Sequence, residues 1–314
     1  MDHLKECFAS LYAMDYKSFR TLLVDNGSSD ESVDFTRSFY PNIEIIENES
    51  NIGFSAGINK GIQHALMKKA DYVALLNNDT VVDKRWLTEL VNHSERDSKV
   101  GVVGGTVFFY DNRHIINSTG LIINKLGYAW DRDFGENISK VQRTYGAVVA
   151  VSGVGMLIKT KLFSQIGALD EKFFCYYEDA DFCVRTWRDS DYKVQYVPTA
   201  KIYHKFSSTA KPPFKLFHMT KNQYKLLAKH FPLSQLWAAL MRAFFENVCT
   251  RGKGHIRRGE IGSFGIELLA VFFFFTTLHN IIFYRIKNRG IKKREWNISE
   301  MLLPSCKPPN LQGR

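Results

Sequence analysis

The sequence predicts an α/β fold built on a mostly parallel, doubly wound sheet, and three observations support this class. Strand-like and helix-like patterns alternate through the first half of the chain. Residues 72–76 form a short apolar run bounded by turn formers, as in a buried strand, and a helix pattern over residues 84–95 follows. Residues 19–24 form another strand pattern that ends in a polar turn at residues 25–30, again before a helix pattern. We therefore expect polar strand ends at one edge of a sheet, where ligands bind in such folds.

The composition is that of a globular protein with a basic surface. The chain has 314 residues, of which 45% are hydrophobic and 14% aromatic, and its formal net charge is +10. A charge of this sign suits nucleic acid, an anionic membrane surface or a phosphorylated substrate. The sequence has no zinc-finger, arginine-repeat or RRM-like pattern, so we predict no nucleic-acid partner.

The five cysteines are scattered and form no CxxC pair. This usage argues for a reducing, cytosolic environment and against a disulfide framework or a zinc site. The residues at the amino terminus do not resemble a signal peptide.

The elements can be assigned in chain order. Residues 1–14 have the pattern of an amphipathic helix, with Leu4, Cys7, Phe8 and Leu11 on one face. Further helices are predicted at residues 31–39, 51–69, 161–166 and 178–188, and further strands at residues 43–46, 100–110, 152–158, 192–197 and 200–203. Short strands and loops are expected over residues 115–151, and His204 falls where the last strand ends. Small residues within 51–61 would let backbone N–H groups approach an anion, although such glycines also suit tight helix–strand packing.

Three polar residues, Asn77, Asn78 and Asp79, end the strand at residues 72–76. A carboxylate here, with an amide two residues earlier on the same side, can hold a hard divalent cation against a phosphate-bearing ligand. An Asx turn that caps the next helix would use the same residue types. The residues alone leave both interpretations open.

Three carboxylates, Glu178, Asp179 and Asp181, open the helix predicted at residues 178–188. Acidic residues in a first turn interact favourably with the helix dipole, which is a structural explanation. However, three carboxylates within four residues also repel one another unless a cation or a function keeps them together.

Five motifs occur in an order that points to one family. They are residues 25–30 (DNGSSD), 51–59 (NIGFSAGIN), 75–79 (LLNND), 178–181 (EDAD) and 198–204 (PTAKIYH). Together they resemble family 2 inverting glycosyltransferases with the GT-A fold, and the match covers about residues 1–230. Within that family the chain is similar to the rhamnosyltransferase-like enzymes of bacterial surface polysaccharide assembly.

The resemblance implies a binding site for a nucleotide-diphosphate sugar. The implied donor-binding residues are Asp25, Asn51, Gly57, Asn59, Asn77, Asn78, Asp79 and Arg185. Asp25 would contact the base or ribose, the residues from 51 to 59 would line the nucleotide and diphosphate, and Asp79 would bind the metal at the family's DxD position. For Arg185, an ion pair with Asp181 within the helix is an equal alternative to contact with the pyrophosphate.

The resemblance also implies the catalytic and acceptor-side residues. Glu178 and Asp179 match the segment that supplies the catalytic base, and Asp179 is the predicted base. Gly153 and Asp181 are expected on the acceptor side. An inverting transfer needs one carboxylate to take the proton of the acceptor hydroxyl as that hydroxyl attacks C1 of the sugar.

A divalent cation, Mg²⁺ or Mn²⁺, is the expected cofactor. His204 matches a histidine that completes the metal site in relatives, and an imidazole ligand would favour Mn²⁺. A buried, hydrogen-bonded core histidine is the competing interpretation of His204. The family often has a carboxylate where this chain has Asn77. The predicted metal site therefore has the single negative charge of Asp79 at the DxD position.

The chain also departs from the family at its start. The family begins with a strand and a loop that holds the nucleobase, whereas Met1 stands directly at the helix that follows them. Three explanations are a start codon assigned too far downstream, a truncated chain and a degenerate protein. We favour the first. We expect an exposed sheet edge in this form, and we expect an upstream extension of the reading frame to raise donor affinity and soluble yield.

The carboxyl-terminal part has a different character. Helices are predicted at residues 215–230 and 233–249, followed by an apolar segment near residues 264–284 that is long enough to cross a bilayer. This segment contains Glu267, and basic residues flank both of its ends, so a transmembrane helix, an interfacial helix and a soluble buried helix stay as alternatives. We predict two domains, a catalytic domain at residues 1–230 and a helical, membrane-associated region at residues 231–314.

The favoured function is an inverting glycosyltransferase at the cytoplasmic face of the cell membrane. It would move a sugar from a nucleotide-diphosphate sugar to a glycan or lipid-linked glycan acceptor in cell-surface polysaccharide synthesis. A nucleotidyltransferase is one alternative, but it would use a basic, glycine-rich loop where residues 25–30 are acidic. A non-catalytic or degenerate nucleotide-sugar-binding scaffold is the other.

Overall fold

The structure is a computed structural model that describes residues 2–206 and 211–287. Contacts within the chain divide it into two compact units. Of the described residues, unit 1 comprises 2–121 and 131–206, and unit 2 comprises 122–130 and 211–287. The unit boundaries differ from the predicted domain boundary at residue 230, because the helix at Pro212–His230 packs with the carboxyl-terminal helices.

Unit 1 alternates helices and strands, as its sequence pattern indicated. Its helices are α1 (Asp2–Tyr12), α2 (Ser32–Phe39), α3 (Phe54–Met67), α4 (Trp86–Arg96), α5 (Thr160–Ile166) and α6 (Glu178–Asp189). Its strands are β1 (Leu22–Asp25), β2 (Glu44–Glu47), β3 (Tyr72–Leu76), β4 (Thr80–Val82), β5 (Val100–Phe109), β6 (Ile116–Ser118), β9 (Gly146–Ala147), β10 (Gly155–Lys159) and β11 (Lys193–His204). The hairpin of β7 (Leu121–Ile123) and β8 (Ala129–Asp131) carries residues 122–130.

The first helix of unit 1 packs as predicted. α1 buries Leu4, Cys7, Phe8 and Leu11, the four residues that share one face of its helical pattern. They join a core that includes Trp86 and Leu90 of α4 and the inner residues of β5 and β11.

The central sheet confirms the α/β class but is mixed, so the prediction of a mostly parallel sheet is wrong. Its strand order is β3-β10-β5-β11-β4, with β6 beside β5 and β9 beside β11. Among the described strands of this sheet, only the β5–β11 pair is parallel. β10 follows the excursion over residues 115–151 and runs antiparallel to both β3 and β5. β4 follows β3 after a tight turn, without a crossover helix, and pairs antiparallel with β11.

β1 and β2 form a separate two-stranded parallel sheet, and β3 is an edge strand of the central sheet. β3 is less buried than its apolar sequence predicted, because Leu75 is buried but Ala74 is exposed.

β11 is one strand of twelve residues, where the sequence pattern predicted two shorter strands. Its pairing with β5 shifts between Val197 and Lys201, so the strand bulges around Pro198, which cannot donate a ladder hydrogen bond. The strand ends at His204, as predicted.

Unit 2 consists of helices around the inserted residues 122–130. They are α7 (Pro212–His230), α8 (Leu233–Phe244), a π-helical stretch (Phe245–Arg251), α9 (Gly252–Arg257), α10 (Ile261–Thr276) and α11 (Leu278–Lys287). The segment predicted near residues 264–284 is thus two helices, which meet at 45°. By length and composition, none of the described helices could cross a bilayer alone, whereas the bent pair α10–α11 could do so together.

The interior of unit 2 contains a polar network centred on Asn247. Its amide nitrogen donates to Gln223 Oε1 at 3.0 Å, and its amide oxygen accepts a hydrogen bond from the Tyr128 hydroxyl. Gln223 also donates to the Leu126 carbonyl at 2.7 Å. These bonds join residues 122–130 to α7 and the π-helical stretch, and they satisfy polar groups that burial would otherwise leave costly.

Candidate active site

Several polar strand ends of unit 1 lie at one edge of the central sheet. β3 ends at Leu76, and the next residue, Asn77, donates its backbone N–H to the Val154 carbonyl at 3.0 Å. Val154 stands just before β10, and β10 runs antiparallel to β3. The register therefore places the end of β3 beside the start of β10, which brings Asn77 close to Gly153 in space.

The helix-cap interpretation of residues 77–79 is wrong. α4 begins at Trp86, and the backbone N–H before it, that of Arg85, donates to Asp83 at 3.0 Å. Residues 77–79 instead form the turn between β3 and β4, in which the Asn78 side chain is exposed.

The pairing of β4 with β11 brings Asp79 and His204 together. Thr80, the first residue of β4, is opposite His204, the last residue of β11. Asp79 Oδ1 lies 3.2 Å from His204 Nε2, and both side chains are mostly buried. On the other side of the ring, His204 Nδ1 lies 3.1 Å from Asn117 Oδ1.

These groups fit a divalent cation. A carboxylate oxygen and an imidazole nitrogen are ligands of Mn²⁺ and Mg²⁺ sites that also use phosphate oxygens and water. The amide of Asn117 is 2% exposed and lies beside the remaining ring nitrogen, the position from which neighbouring groups orient metal-binding histidines. Within residues 2–206 and 211–287, no group of three or more His, Cys, Asp or Glu side chains could hold a metal by itself. The substrate diphosphate would have to complete such a site.

The predicted base, Asp179, is held at the start of α6. Its Oδ2 accepts the backbone N–H of Gly153 at 2.9 Å, and its Oδ1 accepts that of Ala180 at 2.7 Å. Burial raises the pKa of the Asp179 carboxyl, while these two N–H groups act in the opposite direction. Gly153 therefore positions Asp179 through its backbone.

Glu178 stands beside the predicted base in a more buried environment. Its side chain is 6% exposed, and its Oε2 has no hydrogen-bond partner among the described residues. Burial, and then the neighbouring charge of Asp179, raise the pKa of Glu178 to about 8. Two adjacent carboxyls thus differ in environment, which is a common feature of acid–base sites.

The remaining carboxylate of this group, Asp181, pairs with Arg185 inside the protein. Asp181 is fully buried, and Arg185 Nε donates to its Oδ2 at 2.8 Å. The other guanidinium nitrogens of Arg185 donate to the carbonyls of Ile166 and Ala168. The intrahelical ion pair is therefore present, while the assignments of Arg185 to the donor and of Asp181 to the acceptor side stay predictions. A sequence cannot show that a charged pair at helical spacing faces inward.

The turn before α6 has unusual backbone geometry. Phe174, Tyr176 and Tyr177 all have positive φ, at 67°, 65° and 73°. Such angles are strained for bulky residues and are held by surrounding contacts. One contact is the hydrogen bond from the Ser55 N–H to the Phe174 carbonyl, at 3.1 Å. This turn thus connects the start of α3 with the start of α6.

The predicted donor loop is organised by Asn26. Its amide nitrogen donates to Asn51 Oδ1 and to the Gly53 carbonyl, each at 3.1 Å. Its amide oxygen accepts hydrogen bonds from Asn48 Nδ2 and from the Ile52 N–H. These bonds join the end of β1 to the loop before α3. The sequence motif contained Asn26, but its role depends on partners more than twenty residues away.

The other predicted donor residues have different positions. The carboxylate of Asp25 accepts the N–H groups of Gly27 and Ser28, each at 3.1 Å, and shapes the turn after β1. Gly57 packs against the Asn26 side chain. Asn59 is 5% exposed, and its amide bonds to the backbone of Leu169 in both directions and to Glu171. The amide groups of Asn59 thus bind the segment before α6, and its assignment to the nucleotide stays a prediction.

The sequence motifs did not indicate Asn117. This residue lies in β6, within the excursion between β5 and β10, where the pattern predicted only short strands and loops. Its side chain is buried against His204, 87 residues along the chain. A polar residue in a short strand was the only sequence signal, and it is too common to select one position.

The mixed α/β sheet, with an Asp–His pair and a held carboxylate at one edge, has the fold of GT-A-type glycosyltransferases. The chain belongs to glycosyl transferase family 2, because the sequence model of that family matches residues 2–167, more than half of its length.

Two relatives with named activities illustrate this similarity. The chain is 27% identical to an N-acetylglucosaminyl-diphospho-decaprenol L-rhamnosyltransferase of Mycobacterium tuberculosis, over 76% of this chain and 84% of that protein. It is also 27% identical to the low-salt glycan biosynthesis hexosyltransferase Agl10 of Haloferax volcanii, over 59% of each protein.

Solved structures share the fold at low sequence identity. S. aureus TarS 1–349 in complex with UDP-GlcNAc has a TM-score of 0.55 at 14% identity and covers 91% of this chain and 85% of that one. The mannosyltransferase PcManGT of Pyrobaculum calidifontis, with GDP-Man and Mn²⁺, has a TM-score of 0.52 at 15% identity and covers 92% and 84%. At these identities the comparison supports the fold alone.

Proposed function

We propose that this glycosyltransferase moves a hexosyl or deoxyhexosyl group, with inversion, from a nucleotide-diphosphate sugar to a lipid-linked glycan. The observation that carries the proposal is the Asp179 carboxylate, held by Gly153 beside the strand end that leads to the Asp79–His204 pair. One arrangement thus offers a base and an anchor for a diphosphate. A scaffold that only bound nucleotide sugar would not need the base.

In the proposed reaction, Asp179 accepts the proton of the acceptor hydroxyl while the hydroxyl oxygen bonds to C1 of the donor sugar. The bond from C1 to the diphosphate oxygen breaks at the opposite face, and the electron pair leaves with the nucleoside diphosphate. The backbone N–H groups of Gly153 and Ala180 hold the two carboxylate oxygens, which orients Asp179 before the acceptor arrives.

Asp79 and His204 would hold the divalent cation of this site. When bound, the cation neutralises the negative charge that develops on the leaving diphosphate. We propose Mn²⁺ over Mg²⁺, because imidazole is a better ligand for Mn²⁺ than for the harder ion.

The lipid-linked acceptor and the membrane location are also proposals. The M. tuberculosis relative is named for transfer to a diphospho-decaprenol carrier, which supports an acceptor of that class. The scattered cysteines support the cytoplasmic face of the cell membrane. Rhamnose is the finer hypothesis for the sugar, and a thermal-shift screen of nucleotide sugars with Mn²⁺ and Mg²⁺ would test it, since a ligand of the native state raises the melting temperature.

The substitution Asp179→Asn tests the proposal directly. We expect transfer to fall by about 10²- to 10⁴-fold, since the base is lost, while donor affinity, measured by calorimetry, stays within about twofold. Asp34→Asn, on the exposed side of α2, is the matched control and should leave both quantities unchanged. Full transfer by the Asp179→Asn variant would place the base elsewhere. A wild-type protein that binds donor but transfers to no lipid-linked acceptor would favour the scaffold.

A further inference from the structure

Most of the exposed large hydrophobic side chains in the described residues lie in one short part of unit 2. They are Leu233, Trp237, Met241, Phe244, Phe245, Ile256, Ile261, Leu268, Leu269, Phe272, Phe273, Phe275, Ile282, Phe283 and Ile286. A soluble surface rarely concentrates apolar side chains in this way unless it binds a partner or a membrane.

The surface of α8 is the reverse of that expected for a helix in a soluble protein. Leu233, Trp237 and Met241 follow one another at intervals of four residues, so they share one face. They are 71%, 72% and 47% exposed. The helix buries only Ala239 and Ala243. It thus buries two alanines and exposes its leucine, tryptophan and methionine at positions 233, 237 and 241.

α10 has a similar outer face, and its one charge points inward. Glu267 is fully buried, and its carboxylate lies 3.0 Å from the Arg251 guanidinium. Ala270, Val271 and Phe274 follow at helical spacing and are also buried. The opposite side exposes Leu268, Leu269, Phe272, Phe273 and Phe275. The carboxylate that argued against contact with lipid is therefore not on the exposed face.

The charged side chains of this region favour an anionic partner. Arg242, Lys253, Arg257 and Lys287 are exposed. Among the described residues from 233 to 287, the exposed carboxylate is Glu260, which is held by Arg258 and His255. Exposed tryptophan next to basic residues is typical of the boundary between lipid headgroups and acyl chains.

We propose that α8 is an interfacial helix which, with the outer face of α10, binds the surface of an anionic lipid bilayer. Trp237 and Met241 lie among the acyl chains near the headgroups, and the exposed basic residues contact lipid phosphates. This inference extends the proposed function, for which it supplies the site of membrane contact. It requires no sugar transfer, so it can fail or succeed separately.

Flotation of the full chain with lipid vesicles tests the proposal. Wild-type protein should float with vesicles of phosphatidylethanolamine and phosphatidylglycerol, and much less with vesicles of phosphatidylcholine alone. The double variant Trp237→Gln/Met241→Gln should bind the anionic vesicles at least about tenfold more weakly, because two exposed apolar side chains lose their burial in lipid. Phe39→Gln removes a side chain of unit 1 that is 70% exposed and should float like wild type.

A second measurement does not depend on a polar substitution. Brominated phosphatidylglycerol should quench part of the tryptophan fluorescence of the wild type, and Trp237→Phe should remove that part. Flotation of the double variant at the wild-type level would overturn the proposal. Light scattering would also overturn the proposal if the wild type were a dimer and the double variant a monomer. A second copy of the chain would then cover this face. Donor binding, measured in parallel by thermal shift, should be equal in wild type and variants, which shows that the variants are folded. Wild-type protein that binds no donor would count against the proposed function alone.

Discussion

A buried amide lies against one of the two ring nitrogens of His204. Asn117 Oδ1 lies 3.1 Å from Nδ1 of the imidazole, and the carboxylate of Asp79 lies 3.2 Å from Nε2. An imidazole that donates from Nδ1 keeps the lone pair of Nε2 for a metal. We therefore interpret Asn117 as the residue that sets the tautomer and orientation of His204.

The main effect expected from substitution of Asn117 is a change in metal affinity. We expect Asn117→Leu to weaken Mn²⁺ binding by about 10- to 100-fold, because the acceptor for the Nδ1 proton is lost. Asn117→Asp keeps an acceptor oxygen and should keep most of the affinity. Electron paramagnetic resonance of free Mn²⁺, in the presence of a nucleoside diphosphate, measures both. Equal affinity in wild type and Asn117→Leu would contradict this role.

Glu178 should make stability depend on pH. Its pKa is raised from 4.5 to about 8, mainly by burial. Between these pH values the folded protein keeps a proton that the unfolded chain releases, so the contribution of Glu178 to stability falls as pH rises. Glu178→Gln removes this effect, and its melting temperature should exceed that of wild type increasingly from pH 4.5 to pH 8. The expected gain at the upper end is on the order of a few kcal/mol.

The matched control for this prediction is Glu49→Gln, which removes an exposed carboxylate of unit 1. Its melting temperature should follow that of wild type at every pH. A constant difference between Glu178→Gln and wild type over the same range would show that Glu178 stays ionised in the folded protein.

At the scale of elements, the turn over residues 174–177 connects two parts of the site. It leads directly into Glu178 and Asp179, and its Phe174 ring packs on Gly53 in the loop before α3. Gly53 has a φ of 93°, and a Cβ placed on it would lie 2.6 Å from the Phe174 ring. Only glycine fits this position, for its backbone angle and for the contact.

Gly53→Ala should therefore disturb both stability and donor binding. We expect a loss of about 1–3 kcal/mol in the free energy of unfolding, and weaker donor affinity because the Asn51–Gly53 loop must move. Gly135→Ala is the matched control, since Gly135 has a φ of 81° but open space around its Cβ. Gly135→Ala should lower the free energy of unfolding only by the cost of the backbone strain.

A double substitution separates the two causes. Gly53→Ala combined with Phe174→Ala should lose less than the sum of the single losses, because the clash is absent. Chemical denaturation followed by fluorescence gives the stabilities, and calorimetry gives the donor affinities. If Gly53→Ala and Gly135→Ala changed stability and donor affinity equally, the packing of Phe174 on Gly53 would contribute to neither.

At the scale of the whole molecule, positive charge and exposed apolar surface should act together at the membrane. High salt screens the basic side chains but leaves the burial of apolar side chains in place. We expect a salt wash of membranes to release only part of the protein and an alkaline carbonate wash to release the rest. Immunoblots of pellet and supernatant measure this, with an integral membrane protein as the control. Retention after carbonate would mean that the bent pair α10–α11 spans the bilayer.

Much of unit 1 could be predicted because its causes are local. Apolar spacing placed α1 with its buried face, and turn-forming residues placed the ends of β3 and β11. Motifs at those strand ends also indicated the family, since the residues of each motif are neighbours in sequence. The break between α10 and α11 was missed, because apolar residues continue across it. The bulge in β11 lies in the gap between the two strands that the pattern predicted.

The sequence by itself determined the α/β class, the family and the polar residues at the strand ends. Only the tertiary structure decided the direction in which strands pair, which made the sheet mixed. It also decided that Arg185 and Asn59 point inward and that Asn117 lies against His204. The physical reason is that a hydrogen bond or ion pair depends on partners that folding brings close, such as Asn59 and Leu169, which are 110 residues apart. Residue type and spacing fix what a side chain can bind, and the fold fixes what it meets.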